Sequence, residues 1–330
     1  MRVVISILLS AVPFLAAAAL AEVPYPSAPD WLSAEDHAYG TGCDFGDVDG
    51  DGWLDLAVSN GNDMLQAPNY VYLSQGGVLP TQASWTSADA RYSGHCELAD
   101  LDADGWPELM VANYISPGWG LGWIQVYDNA GGELATAPGW ESPHDFNSFR
   151  AGFGDPDGDG DLDLGVGTGE AYNDRYQNNV VFFNDGGALA PAAGWTSADA
   201  NAAYDAQFVD VDGDGDQDFA VCEGAVSGRV KVYRNDGGVL GTSPWWEAGQ
   251  AGNGNTFDFD DLDRDGDPDL AVHYNDQLGG TGKAVIYWNQ DGALATEPGW
   301  SSAFDGYGSA IVCADVDADG WPDLIAGAWW

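Results

Sequence analysis

The 330-residue chain is expected to be all-β, a β-propeller built from four-stranded antiparallel blades. Three observations predict this. An acidic phrase typified by "FGDVDGDGWLDLAV", residues 45 to 58, recurs six times, with first aspartates 51 to 55 residues apart. A strand-like phrase closed by a glycine turn alternates with it, and a tryptophan follows that phrase in fixed register. Internal repeats of about fifty residues point to solenoids or propellers. Four short strands per repeat decide for the propeller.

The acidic phrase reads as a loop. With Asp47 as position 1, carboxylates stand at 1, 3, 5 and 9 and glycine at 6: Asp47, Asp49, Asp51, Asp55 and Gly52. Like charges at this density need a compensating cation or full solvation. A solvated turn would explain one copy, whereas regular spacing in six favours the cation. Alternate carboxylates converge on one hard ion if the chain curls around it, and glycine at position 6 permits the curl. Calcium accepts this oxygen set more readily than magnesium or zinc does. Position 7 is expected to add its backbone carbonyl. The ligand sets are then Asp47, Asp49, Asp51, Trp53, Asp55; Asp100, Asp102, Asp104, Trp106, Glu108; and Asp155, Asp157, Asp159, Asp161, Asp163. The later units give Asp210, Asp212, Asp214, Asp216, Asp218; Asp261, Asp263, Asp265, Asp267, Asp269; and Asp315, Asp317, Asp319, Trp321, Asp323, for six ions in all. An EF-hand starts alike but needs a bidentate acid at position 12. Here that position is Val58, inside a run that reads as a strand.

The second phrase is "VYLSQGGVL", "VYDNAGGEL", "VFFNDGGAL", "VYRNDGGVL" and "IYWNQDGAL", starting at Val71, Val126, Val181, Val232 and Ile286. Each resembles a strand that turns at glycine into another strand. Trp85, Trp140, Trp195, Trp246 and Trp300 each follow the phrase's leucine by six residues and precede the next loop by fifteen. A residue that recurs in every blade is expected to pack blades. Trp31 stands before Asp47 in the same way, with one extra residue. Trp53, Trp106 and Trp321 are expected to cover blade edges, with a contact patch on the calcium face as the alternative.

These motifs resemble the FG-GAP, or VCBS-type, repeats found also in integrin α-chains. Phe45-Gly46 and Phe153-Gly154 keep the Phe-Gly pair, while Leu98, Phe208, Phe259 and Cys313 fill the Phe position elsewhere. The resemblance covers nearly all of the chain after residue 30 and implies a calcium-loop propeller. It implies little about activity, because propellers host many.

The ends and the composition add further expectations. "MRVVISILLSAVPFLAAAALAE" has one arginine, an apolar run and an Ala19-Leu20-Ala21 site, so residues 1–21 read as a secretory signal and 22–330 as the propeller domain. The mature chain is expected to be secreted, cell-surface or periplasmic, without membrane insertion. Formal charge is −44 with nine Lys and Arg, which argues against nucleic acid and anionic membranes as partners. Positions 1, 3, 5 and 9 of the six loops hold 24 of the 53 acids, so six calcium ions would leave a strongly acidic surface. Cys43, Cys96, Cys222 and Cys313 permit disulfides in an exported protein, and buried thiols equally. The sixth unit ends at "DLIAGAWW" before any third strand, so the last blade is incomplete, or the sequence is a fragment of a longer, seven-bladed chain. The fragment is favoured, because terminal tryptophans would be an aggregation hazard.

Length variation concentrates between the second and third strands, on the face opposite the calcium loops, and insertions confined to one face often mark binding. Trp119, Trp123, Tyr114, Tyr172 and Tyr274 are candidates to stack on sugar rings, with Asn60, Asn62, Asn113, Asn173 and Asp174 as hydrogen-bonding partners. The expected ligand is a carbohydrate or an extracellular protein. No familiar catalytic motif is present. A polysaccharide lyase assembled from separate blades is the enzymatic alternative, with His144, Arg150, His273 and Tyr274 as its candidates; a structural module of a larger surface protein is the third.

Overall fold

The computed structural model describes residues 4–8, 29–35, 39–62, 65–116, 120–171, 174–224, 228–250, 252–277 and 279–329. Among them all regular structure is strand, arranged as antiparallel sheets in a ring, the propeller expected from the repeats. The first blade runs Gly40–Gly46, Asp55–Asn62, Tyr70–Tyr72 and Trp85–Thr86, with Leu65–Gln66 paired to the end of its second strand. The other complete blades begin at Tyr92, Ala151, Ala203 and Gly254 and end at Glu141, Asn201, Glu247 and Ser301. In each, the acidic loop joins the first two strands and the glycine turn the last two.

The second strands are apolar runs because each blade is covered on both sides. Asp218–Glu223 and Asp269–Tyr274 are buried at every position. The cores lie between blades: Ala220 and Val232 of the fourth pack with Leu270 and Val272 of the fifth. Met110 and Ile124 of the second likewise meet Leu164 and Val166 of the third. The register tryptophans bind the ring as expected. Trp85, Trp195 and Trp246 donate Nε1 to the carbonyls of Leu134, Leu240 and Leu294 in the following blade, at 3.1, 3.1 and 2.9 Å. Trp140 meets Phe182 edge-on at 5.3 Å.

A second stitch was not read from sequence. The asparagine two residues after each third-strand aromatic reaches back to the preceding blade. Asn129, Asn184, Asn235 and Asn289 donate Nδ2 to the carbonyls of Val48, Leu101, Pro156 and Val211, at 3.0, 2.8, 2.6 and 2.8 Å. The first blade has Ser74 at this position.

The sixth sheet pairs Tyr307–Ala314 with Asp323–Trp329. Its third-strand place is taken by Val4–Leu8, from the expected signal segment, with Leu8 opposite Leu324 and Ile7 opposite Ile325. This is the register that Tyr72 and Val71 keep with Leu56 and Ala57. Residues 29–35 form no strand, yet they dock on the first blade as a fourth strand does on its neighbour: Trp31 Nε1 bonds Pro80 O at 3.0 Å and Tyr72 donates to Glu35 at 2.8 Å. The junction of the sixth and first blades is less covered than the others, with Phe45 55% and Val312 48% exposed. The described cysteines are unpaired thiols, of which Cys96 and Cys222 are buried.

Candidate metal centre

The six acidic loops share one fold, and each carboxylate has a distinct task. Position 1 accepts the amide of the position-6 glycine: Asp47 from Gly52 at 2.9 Å, Asp210 from Gly215 at 2.9 Å, Asp315 from Gly320 at 2.8 Å. Position 3 accepts from the position-5 amide, as Asp102 does from Asp104 at 3.1 Å. Position 5 accepts from the position-7 amide, as Asp319 does from Trp321 at 2.8 Å. Position 6 is glycine for the expected reason, with φ between 87° and 103° in all six copies. Position 4 is left-handed too, including the non-glycines Ala103, Arg264 and Ala318, a strain the sequence does not announce.

Position 9 is the buried anchor. Asp55 accepts the amides of Val48 and Ser74 at 2.8 and 2.7 Å, so it ties the loop start to the end of the third strand. Glu108 makes the same pair of bonds with Leu101 and Asn129, and Asp218 with Val211 and Asn235. Burial pushes these carboxyls up, and the loop's other carboxylates add to the effect. Asp163 and Asp218 are raised to about 7 and Asp269 to about 6, and Asp55 and Glu108 shift the same way.

These clusters converge. Carboxylate oxygens of Asp47, Asp49 and Asp55 lie within 4.8 Å of one another, as do those of Asp100, Asp102 and Glu108, and of Asp155, Asp157 and Asp163. In the fourth and fifth units the set is Asp210, Asp212, Asp214 and Asp261, Asp263, Asp265. Asp47 Oδ1 and Asp163 Oδ2 are buried with no hydrogen-bond partner. A buried carboxylate oxygen without a donor is costly and is expected to have a partner. A hard divalent cation fits this donor set: the carboxylates of positions 1, 3 and 9 would hold it in the first three units and those of positions 1, 3 and 5 in the fourth and fifth.

The position-7 side chains turn outward from the loop. Asp161, Asp216 and Asp267 accept the amides of Gly186, Gly237 and Asp291 in their own glycine turns, at 2.7, 2.6 and 2.6 Å, and so face away from the loop centre. Trp106 lies over Gly50 of the preceding loop and Gly132 of its own turn, and Trp53 over Gly77, which is the edge-covering role expected of them.

The opposite face corrects the ligand candidates. Tyr114, Trp123 and Tyr274 are buried, as are Asn60 and Asn113, because the second and third strands run further than their sequence suggests. Tyr274 donates to or accepts from Tyr287 at 2.9 Å, and Asn113 bonds Ser93 and Gln125. These side chains hold blades together and have no face for a sugar. Asn62 is half-buried, and Asp174 is exposed in a left-handed turn. Trp119, Tyr172 and Asn173 lie outside the described residues. Among the described residues, the large apolar side chains exposed there are Tyr39, Leu65, Leu121 and Tyr176, from the first three blades. A leucine in each of two polar loops, Leu65 and Leu121, was the available clue.

The enzymatic candidates do not come together. His144 stacks on Trp123 at 4.0 Å, while His273 and Tyr274 are buried in the fifth blade. Arg150 lines a cavity of about 670 Å³ at the centre of the ring, where it pairs with the buried Asp205 at 2.9 Å and bonds Thr256 at 3.1 Å. Three blades are thereby joined across the axis.

A family model described as FG-GAP-like repeat matches residues 47–111, 100–166 and 210–272, more than half of the chain. No curated protein sequence matches it. A solved structure of BBS1N in complex with ARL6DN is similar at TM-score 0.56 and 14% identity, over 89% of this chain and 77% of that one. A second crystal of that complex gives 0.56 and 13%, over 88% and 77%. The V. cholerae biofilm matrix protein Bap1 is similar at 0.46 and 18%, over 86% of this chain and 46% of that one.

Proposed function

The chain belongs to the FG-GAP-like repeat family, and from that premise we propose that it is an exported, calcium-stabilised propeller that recognises a protein partner. The calcium part rests on the convergent carboxylates with orphaned buried oxygens at Asp47 and Asp163. Calcium would neutralise charge that burial and like-charge repulsion otherwise hold in an unfavourable state, and so lock the first, second and third strands of each blade. The export part rests on the signal-like residues 1–21 and places the chain where calcium is abundant, in the medium, periplasm or cell surface.

The partner's class follows from what is exposed. Among the described candidates for stacking on a sugar, Tyr114, Trp123 and Tyr274 are spent inside the blades, whereas Tyr39, Leu65, Leu121 and Tyr176 offer apolar side chains amid polar loops. Such a surface suits a protein contact with an apolar centre and a polar rim. Arg175 Nη1 reaches Gly120 O at 3.5 Å, which brings the loops carrying Leu121 and Tyr176 together. The similarly folded BBS1N, solved in complex with ARL6DN, is a protein-bound example of the architecture.

The test is capture from the extracellular fraction with the chain beginning at Glu22, followed by the double variant Leu121→Asp, Tyr176→Asp. Loss of one specific protein with an unchanged melting temperature is the expected result. Equal capture by the variant, or binding of isolated glycans in place of protein, would sink the proposal.

A further inference from the structure

The six loops are alike in sequence but not in charge environment. At the residue between the third-strand aromatic and the stitching asparagine, the first five units carry Leu73, Asp128, Phe183, Arg234 and Trp288. Only the fourth is a cation. Arg234 folds back along the surface onto its own loop. Its Nε lies 3.0 Å from Asp212 Oδ2 and its Nη2 3.5 Å from Asp214 Oδ2, the position-3 and position-5 carboxylates of its own loop. Nη2 also meets Asp236 Oδ1 at 2.8 Å, and the guanidinium lies over the Trp245 ring at 5.7 Å.

The other arginine near a loop behaves differently. Arg264, at position 4 of the fifth loop, sits over the Trp321 ring of the sixth at 4.9 Å, beside Gly320. Among the described residues no ion pair joins it to a loop carboxylate. In the other loops, among the described residues, no ion pair joins a position-3 or position-5 carboxylate to a cationic side chain, which leaves their charge for a metal ion to neutralise.

We propose that Arg234 acts as a built-in counter-cation for the fourth loop, so that this loop is the last of the six to fill with calcium and the first to empty. The inference rests on the calcium reading of the loops and adds a ranking among them. Two effects work together. The guanidinium already neutralises part of the charge on Asp212 and Asp214, and it repels an incoming divalent ion. A unit charge about 6 Å from a divalent ion in a water-like medium is worth about tenfold in affinity. Filling the site then shifts Arg234 towards Asp236 and Trp245, which makes the fourth loop the calcium-responsive one within a ring of tighter sites.

The experiment is a calcium titration in chelator-buffered solution, followed through the position-6 glycine amides by NMR, with bound ions counted by native mass spectrometry. Gly52, Gly105, Gly160, Gly266 and Gly320 report the five other loops, and Gly215 the fourth. Gly215 is expected to respond at about tenfold higher free calcium than the rest, with a population carrying one ion fewer at intermediate calcium. Arg234→Gln should bring Gly215 into line, while Arg234→Lys should preserve most of the lag. Arg234 is at the surface, so neither change threatens the fold. A Gly215 that responds with the others in the unmodified chain overturns the proposal, as does a lag that survives Arg234→Gln. Silence of all six glycines would overturn the calcium reading itself, and this inference with it.

Discussion

Metal-free and calcium-loaded chains should respond to acid in opposite directions. In chelator, Asp163 and Asp218 titrate near 7 and Asp269 near 6, because burial and the carboxylates at positions 1, 3 and 5 penalise their charge. In the unfolded chain they return to ordinary aspartate values of about 3.9. A raised folded value means that protonation favours the fold: the stabilisation is complete below the unfolded value and is lost as pH rises through the folded one. Between about pH 8 and about pH 5, two groups near 7 and one near 6 gain about 6 kcal/mol before screening. Water at the open loop rim leaves about half of that, about 3 kcal/mol. For a chain of this size that is about 6 °C in melting temperature. With calcium bound the sign reverses, since protonation of the same ligands expels the ion and its binding energy. The assay is a pair of melting series across that range, one in chelator and one in excess calcium. A chelated series that falls on acidification in parallel with the calcium series would refute the argument.

Three further outcomes follow from named contacts. Asp218→Ala should destabilise the chain by about 3 kcal/mol, because it strands the buried amides of Val211 and Asn235, and it should remove one calcium ion, as urea unfolding and ion counting would show. Asn235→Ala, which deletes the bonds to Pro156 and Gln217, should cost about 2 kcal/mol yet leave the ion count intact; a lost ion would mean that the stitch also shapes the loop. Asp216→Asn should keep calcium affinity within about twofold, since that carboxylate caps Gly237 and faces away from the loop centre, and calorimetry checks it.

Much of the fold was legible because identical local problems recur. Asp at 1, 3 and 5, glycine at 6 and an acid at 9 can be compared across six copies, so Gly52 and its equivalents declare a left-handed turn that one copy would leave ambiguous. The tryptophan register was legible for the same reason. The exposed face was harder. Tyr114, Trp123 and Tyr274 sit in segments whose glycine and asparagine content reads as loop, yet the ladder extends through Ser116 and Tyr274 and turns them inward. Local propensity could not show this, since strand length there is set by pairing with a neighbour. Arg234 was invisible for another reason. Its distance to Asp212 spans 22 residues of sequence and depends on the third strand, Val230–Tyr233, pairing back along the second, Asp218–Glu223, which returns the chain to the loop.

The account turns most directly on calcium itself. Melting the chain in calcium, in magnesium and in excess chelator, with bound metal counted in each, tests it in one measurement. Several calcium ions per chain and a large stabilisation that magnesium does not reproduce are the predicted result. Three equal melts with no bound ion would contradict it, and the six acidic loops would then be solvated turns.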